Sequence, residues 1–192
     1  MGREFELKYA ANPAVLAALS AQYGPGREIR METTYYDTAD QALSARHMTL
    51  RMRRENEEQV CTLKTPLPDG SRGEWECCAT DIQSGVAALL SVGAPPELAR
   101  LTAQGVTSVC GARFTRLAVE VPTADGMAEL ALDSGCLCGG GREIPLWEVE
   151  LELKSGSEEA LLSLAETFAS AHGLKPEPRS KFSRALALAQ GE

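Results

Sequence analysis

Eight stretches of this chain alternate charged and apolar residues with a period of two, and that patterning limits the fold more than any other feature. Successive side chains of a strand point to opposite faces. In EFELK, Phe5 and Leu7 therefore face one way and Glu4, Glu6 and Lys8 the other. EIPLWEVELELK repeats the arrangement, with Glu148, Glu150, Glu152 and Lys154 alternating with Trp147, Val149, Leu151 and Leu153. Between these two runs lie REIRMETTYYDT, HMTLRMRR, QVCTLKT, RGEWECCAT, FTRLAVEVP and MAELALDSG. Eight mostly antiparallel strands predict an α+β, mainly β, architecture: an eight-stranded antiparallel closed barrel with flanking helices, since closure removes exposed edges. An open α+β sheet is the alternative.

Helical signals fill the gaps. Asn12 as N-cap and Gly24 beyond the end bracket PAVLAALSAQY. Residues 81 to 104 read as one or two short helices broken by Pro95 and Pro96, and Ser157 and Gly173 bracket EEALLSLAETFASAH. A final helix runs roughly from Ser180 to Ala189, while PLPDGSRG and CGGGRE are turns. No linker divides the chain, so residues 1–192 are expected to form a single domain.

A net charge of -8 argues against retention on nucleic acid by a general positive field, so a polyanion would have to be gripped by a local basic cluster. The N-terminus carries Arg3, Glu4 and Glu6 and no apolar leader, and no run approaches bilayer length. A cytoplasmic protein with no membrane partner is expected. Six cysteines with only His47 and His172, and no CxxC, give no zinc pattern. Reduced, mostly buried thiols are the expectation, with the Cys136 and Cys138 pair able to oxidise.

The charged faces segregate by sign. Carboxylates gather in the first and last strands; Arg51, Arg53 and Lys64 occupy the middle, Arg72 alternates with Glu74 and Glu76, Arg116 shares a face with Glu120, and Glu129 with Asp133. One such strand taken alone is most often a solvated sheet face. Solvated faces mix signs freely, however, and separation by sign implies a bound object. Clustered carboxylates repel unless protonated or bridged by a cation, and oxygen-rich sites suit Mg²⁺ or Mn²⁺. Arginine forks and lysines suit phosphate oxygens. A metal held opposite phosphates is the arrangement that phosphoryl transfer requires, here without a Gly-rich phosphate loop.

In this order, ExExK (Glu4, Glu6, Lys8), YYDT (Tyr35 to Thr38), LRMR, LK, RGEWE, ALDSG, EVELEL and SKFSRA resemble the CYTH family of triphosphate tunnel metalloenzymes, from residue 3 to about residue 190. The ending looks most like bacterial inorganic triphosphatases. The resemblance implies a triphosphate tunnel fold and metal-dependent hydrolysis of tripolyphosphate to pyrophosphate and phosphate. It implies metal ligation by Glu4, Glu6, Glu148, Glu150 and Glu152, and phosphate binding by Lys8, Arg51, Arg53, Lys64, Arg72, Arg116, Lys181 and Arg184. Glu4, Glu6, Lys8 and Asp133 would form the catalytic set, with Asp133, Glu148 or Glu76 orienting ligands or water. Phe114 stands where the family often has a second basic residue, and Arg113 falls on the opposite face unless a bulge redirects it. Thiamine or nucleoside triphosphate hydrolysis, adenylyl cyclisation, and polyphosphate binding without chemistry are the alternatives. The expected partner is a small polyanionic substrate, and a homodimer is compatible with the chain.

Overall fold

The computed structural model describes residues 2–3 as backbone, and residues 5–67 and 72–191 in full. Glu4 and the tip of the PLPDGSRG turn lie outside the described residues. The strands are β1 (Gly2–Arg3), β2 (Glu6–Ala10), β3 (Arg27–Asp37), β4 (Thr49–Glu55), β5 (Glu58–Pro66), β6 (Arg72–Cys78), β7 (Thr107–Pro122), β8 (Met127–Gly139), β9 (Arg142–Ser155) and β10 (Lys175–Pro176). They form one antiparallel sheet in the order β1-β6-β5-β4-β3-β7-β8-β9-β2-β10. Every predicted strand is present, and β10 is a short addition. The opening strand is divided: Gly2–Arg3 pairs with β6, while Glu6–Ala10 pairs with β9 at the other side of the sheet. One stretch of chain thus touches both margins, yet among the described residues no ladder joins β1 to β10.

The helices are α1 (Pro13–Tyr23), α2 (Ile82–Ser91), α3 (Glu97–Leu101), α4 (Glu158–His172) and α5 (Lys181–Gln190). The starts of α1, α2, α4 and α5 are set by side chains that satisfy backbone donors otherwise left without a partner. Asn12 Oδ1 accepts from Val15 N at 3.0 Å, Ser157 Oγ from Ala160 N at 3.2 Å and Ser180 Oγ from Ser183 N at 3.0 Å. Asp81 and Ser84 form a reciprocal capping box before α2. No described helix is long and apolar enough to cross a membrane.

Strands β7 and β8 run further than their sequence suggests. Gly111 and Gly135 each lie within these strands, where a neighbouring backbone passes close by. A Cβ on Gly135 would stand 2.1 Å from the Arg113 carbonyl oxygen, and one on Gly111 would stand 2.7 Å from that of Thr33.

Burial follows the alternation. Leu130, Leu132, Val149, Leu151 and Tyr9 pack on the outside of the sheet against Leu16 and Leu19 of α1 and Leu161, Ala165 and Phe168 of α4. Leu50, Leu63 and Trp75 do the same with Ile82 and Leu89 of α2 and Leu98 of α3. The third apolar cluster is on the inner face, where Ala185 of α5, with Phe182 and Leu186 beside it, meets Met31, Tyr35, Phe114, Leu137 and Leu146. Helix α5 therefore occupies the concave side of the sheet.

Asp37, at the end of β3, is buried and holds the turn that follows. Its carboxylate accepts from Thr38 N at 2.7 Å, Leu43 N at 2.9 Å and Ser44 N at 3.0 Å, as well as from the Ser44 hydroxyl. Replacing Asp37 with Ala leaves three N–H groups, two of them buried, without this acceptor, and is expected to cost about 2–4 kcal/mol in urea unfolding.

Candidate active site

The register places the charged face as a grid. Across β7, β8, β9 and β2 run three rungs: Arg116–Asp133–Glu148–Ala10, then Ala118–Ala131–Glu150–Lys8, then Glu120–Glu129–Glu152–Glu6. In the last rung, four carboxylates stand opposite one another, an arrangement that repels unless cations compensate it. Lys8 Nζ lies 3.7 Å from Glu6, Lys154 Nζ 2.8 Å from Glu152 and Arg27 3.9 Å from Glu129.

At the other end of the grid, Asp133, Glu148 and Glu150 are buried with oxygens within 4.8 Å of one another, close enough to share a single cation. They are neutralised by side chains. Lys181 Nζ lies 2.8 Å from Asp133 and 2.7 Å from Glu150, and also contacts Glu148. Arg116 forks onto Asp133 with both contacts at 2.8 Å and reaches Glu150, and Arg184 contacts Glu148. Three carboxylates thus meet three cations. Burial alone would push Glu150 up, but Lys181 and Arg116 outweigh it and hold its carboxyl well below the usual range. Glu148 moves the other way, raised by burial and by the nearby Glu150 against the pull of Lys181 and Arg184. The Lys181 ammonium stays charged far above its ordinary range: burial disfavours the charge, and Glu150, Asp133 and Glu148 more than offset that.

The facing wall comes from β4, β5 and β6. Arg51 lies 3.7 Å from Glu74 and 3.9 Å from Glu76; Arg53 lies 3.5 Å from Glu76 and also contacts Glu55; Lys64 lies 3.3 Å from Glu74. Arg51 Nε and Arg53 Nε are buried without a hydrogen-bond acceptor. Crowding of this kind costs: burial and then Arg51 push the Arg53 guanidinium below its ordinary pKa. Between the walls lies a cavity of about 910 Å³ lined by Glu6, Lys8, Arg51, Arg53, Lys64 and Arg72, with Arg116 and Lys181 at its α5 side.

Most of the residues singled out in the sequence are therefore brought together. Lys8, Arg51, Arg53, Lys64, Arg72, Arg116 and Lys181 line the cavity, as do Glu6 and Glu150. Asp133 and Glu148 sit beneath it, and Glu152 is on the carboxylate rung. Arg184 is not among the lining residues and instead braces Glu148 from α5. Glu4 lies outside the described residues. Phe114 points inward, with its ring 5.2 Å from Lys181 Nζ and 5.9 Å from the Arg116 guanidinium carbon; it supplies a cation–π surface in place of a second basic side chain on this strand. No bulge redirects Arg113, which pairs on the outer face with Glu143. Sequence reasoning missed Arg179, which lines the cavity and clasps Glu177 at 2.9 Å; its only signal is its place two residues before Lys181.

A carboxyl depressed by folding stabilises the protein fully above its ordinary pKa, and that stabilisation is lost as pH falls towards the folded value. Wild-type Tm is accordingly expected to fall more steeply than that of Glu150→Gln on acidification below the ordinary glutamate range. Parallel melts of the two proteins across that range check the slope.

The CYTH domain family model matches residues 2–186. An inorganic triphosphatase of Haemophilus influenzae is 30% identical over 176 residues, covering 87% of this chain and 49% of the relative. The chain thus spans about half the length of that curated relative. Among solved structures, an adenylyl cyclase candidate from Hippeastrum that reveals a dominant triphosphatase activity superposes with a TM-score of 0.67 at 21% identity, covering 98% of this chain and 96% of that one. The PH1819 protein of Pyrococcus horikoshii OT3 superposes with a TM-score of 0.63 at 23% identity, over 97% and 99% of the two chains.

Proposed function

The chain belongs to the CYTH domain family, and from that premise we propose that it is a divalent-metal-dependent triphosphatase that hydrolyses inorganic triphosphate to pyrophosphate and phosphate. The observation that carries this reading is the pair of buried arginine Nε atoms, on Arg51 and Arg53, without an acceptor in a cavity whose opposite wall sets Glu6 and Glu150 among Lys8, Arg116 and Lys181. Unsatisfied buried donors are costly, and a phosphate chain supplies acceptor oxygens on several sides at once.

The donor set also fits a hard divalent cation. Glu6, Glu129 and Glu152 face one another in register, and their all-oxygen chemistry suits Mg²⁺ or Mn²⁺. The Asp133–Glu148–Glu150 cluster is already balanced by basic side chains, which favours Glu6 and Glu152, with Glu150 at their margin, as the residues that would hold the ion. Bound there, the ion would supply Lewis-acid stabilisation of phosphoryl charge. The remaining work belongs to the chain's own groups. Arg51, Arg53 and Lys64 hold the chain of phosphates and stabilise the charge that develops on the pyrophosphate leaving group. Lys8, opposite Glu150 and beside Glu6, binds the end nearest the carboxylates, where water attacks the terminal phosphorus in line. Wrapping the sheet into a tunnel through the divided opening strand, which pairs at both margins, would keep bulk water from the other phosphates.

Release of phosphate from tripolyphosphate, ATP and thiamine triphosphate, each with and without Mg²⁺ or Mn²⁺, tests the reading. Metal-dependent release fastest from tripolyphosphate is expected; faster turnover of either organic triphosphate would overturn the assigned substrate. Glu6→Gln is expected to lower kcat at least about a hundredfold with an unchanged circular dichroism spectrum. Retained activity in that variant would remove Glu6 from the mechanism.

A further inference from the structure

A second cluster of ligating side chains lies on the outer face of the sheet, away from the cavity. Cys136 and Cys138 alternate on β8 so that both thiols project from one face, and Glu143 stands directly opposite Cys138 on β9. The two sulfurs are 3.8 Å apart, and one oxygen of Glu143 lies within 4.8 Å of both. Two thiolates bound to one tetrahedral zinc-like ion, with metal–sulfur bonds of about 2.3 Å, stand about 3.8 Å apart. The sulfurs are therefore already at the separation that such an ion requires.

The surroundings agree. The cysteine side chains are half-buried and Glu143 is exposed, so the site is reachable, and a surface cavity of about 350 Å³ borders Cys138 and Glu143. Arg113, opposite Cys136 and paired with Glu143, supplies one positive charge. Two thiolates, a carboxylate, a divalent ion and this guanidinium sum to neutrality. We propose that Cys136, Cys138 and Glu143 form a binding site for a thiophilic divalent cation of the zinc class, with its fourth position open to the bordering cavity. Binding releases both thiol protons to solvent, so affinity rises with pH. The site is distinct from the carboxylate rung: it lies on the opposite face, uses sulfur rather than oxygen alone, and selects softer ions than Mg²⁺.

Titration of the reduced 192-residue chain with Co²⁺ alone, followed by absorbance, tests this without reference to turnover. A thiolate-to-cobalt charge-transfer band saturating at one ion per chain, lost in Cys138→Ser and displaced by Zn²⁺, is expected. Glu143→Gln, a change at an exposed side chain, is expected to keep the band but weaken Co²⁺ binding about tenfold or more. Absence of the band in the wild type, its persistence in Cys138→Ser, or unchanged affinity in Glu143→Gln would each overturn the assignment. None of these outcomes bears on whether tripolyphosphate is hydrolysed.

Discussion

Six charged side chains, Asp133, Glu148, Glu150, Arg116, Lys181 and Arg184, fix the relation between the sheet and its last helix. Burying charge is expensive, and mutual attraction repays the cost only when each carboxylate keeps its hydrogen bonds. Here Lys181 reaches all three carboxylates, which removes the freedom of α5 to slide along the sheet. The apolar contacts of Ala185 and Phe182 with the inner face set how closely α5 approaches, and the ionic cluster sets its register. Losing one member leaves its partner charged and buried, so the cluster stands or falls as a unit.

That unit also divides the labour of the cavity. Arg116 and Lys181 are already committed to carboxylates, whereas Arg51 and Arg53 keep a guanidinium nitrogen unsatisfied. The two basic groups differ in readiness rather than in charge. A ligand meets a wall organised in advance by Glu74 and Glu76 at one side, and at the other a set of cations that moves only if the carboxylates beneath it rearrange.

Much of this was legible in the chain because strand periodicity is rigid: knowing the face of Glu148 fixes the faces of Glu150 and Glu152. Pairing was less legible. No local signal states that Glu6 faces Glu152 or that Arg116 faces Asp133, since register depends on turn lengths and on which strands become neighbours. The extra length of β7 and β8 was not legible, because a glycine such as Gly111 or Gly135 that admits a close backbone gives no sign of it in the sequence. Arg184 was expected to hold phosphate from its place in the SKFSRA motif; one turn along from Lys181, however, it has passed behind Glu148. The outer thiol site escaped a search for zinc spacings because its third ligand comes from across a ladder.

The divided opening strand has a consequence for the order of assembly. Residues 2–10 are made before their partners β6 and β9, which lie far along the chain, and Glu6 cannot meet Glu152 until β9 exists. Pairings so distant are slow to form, because loop-closure entropy is lost before contacts repay it. The hairpins from β3 to β6 and from β7 to β9 can form locally, so the segment that carries Lys8 and Glu6 docks last. On the ribosome, the strand of the candidate site waits unpaired until β9 has been made, and alternating charges along such an edge guard it against pairing with other chains.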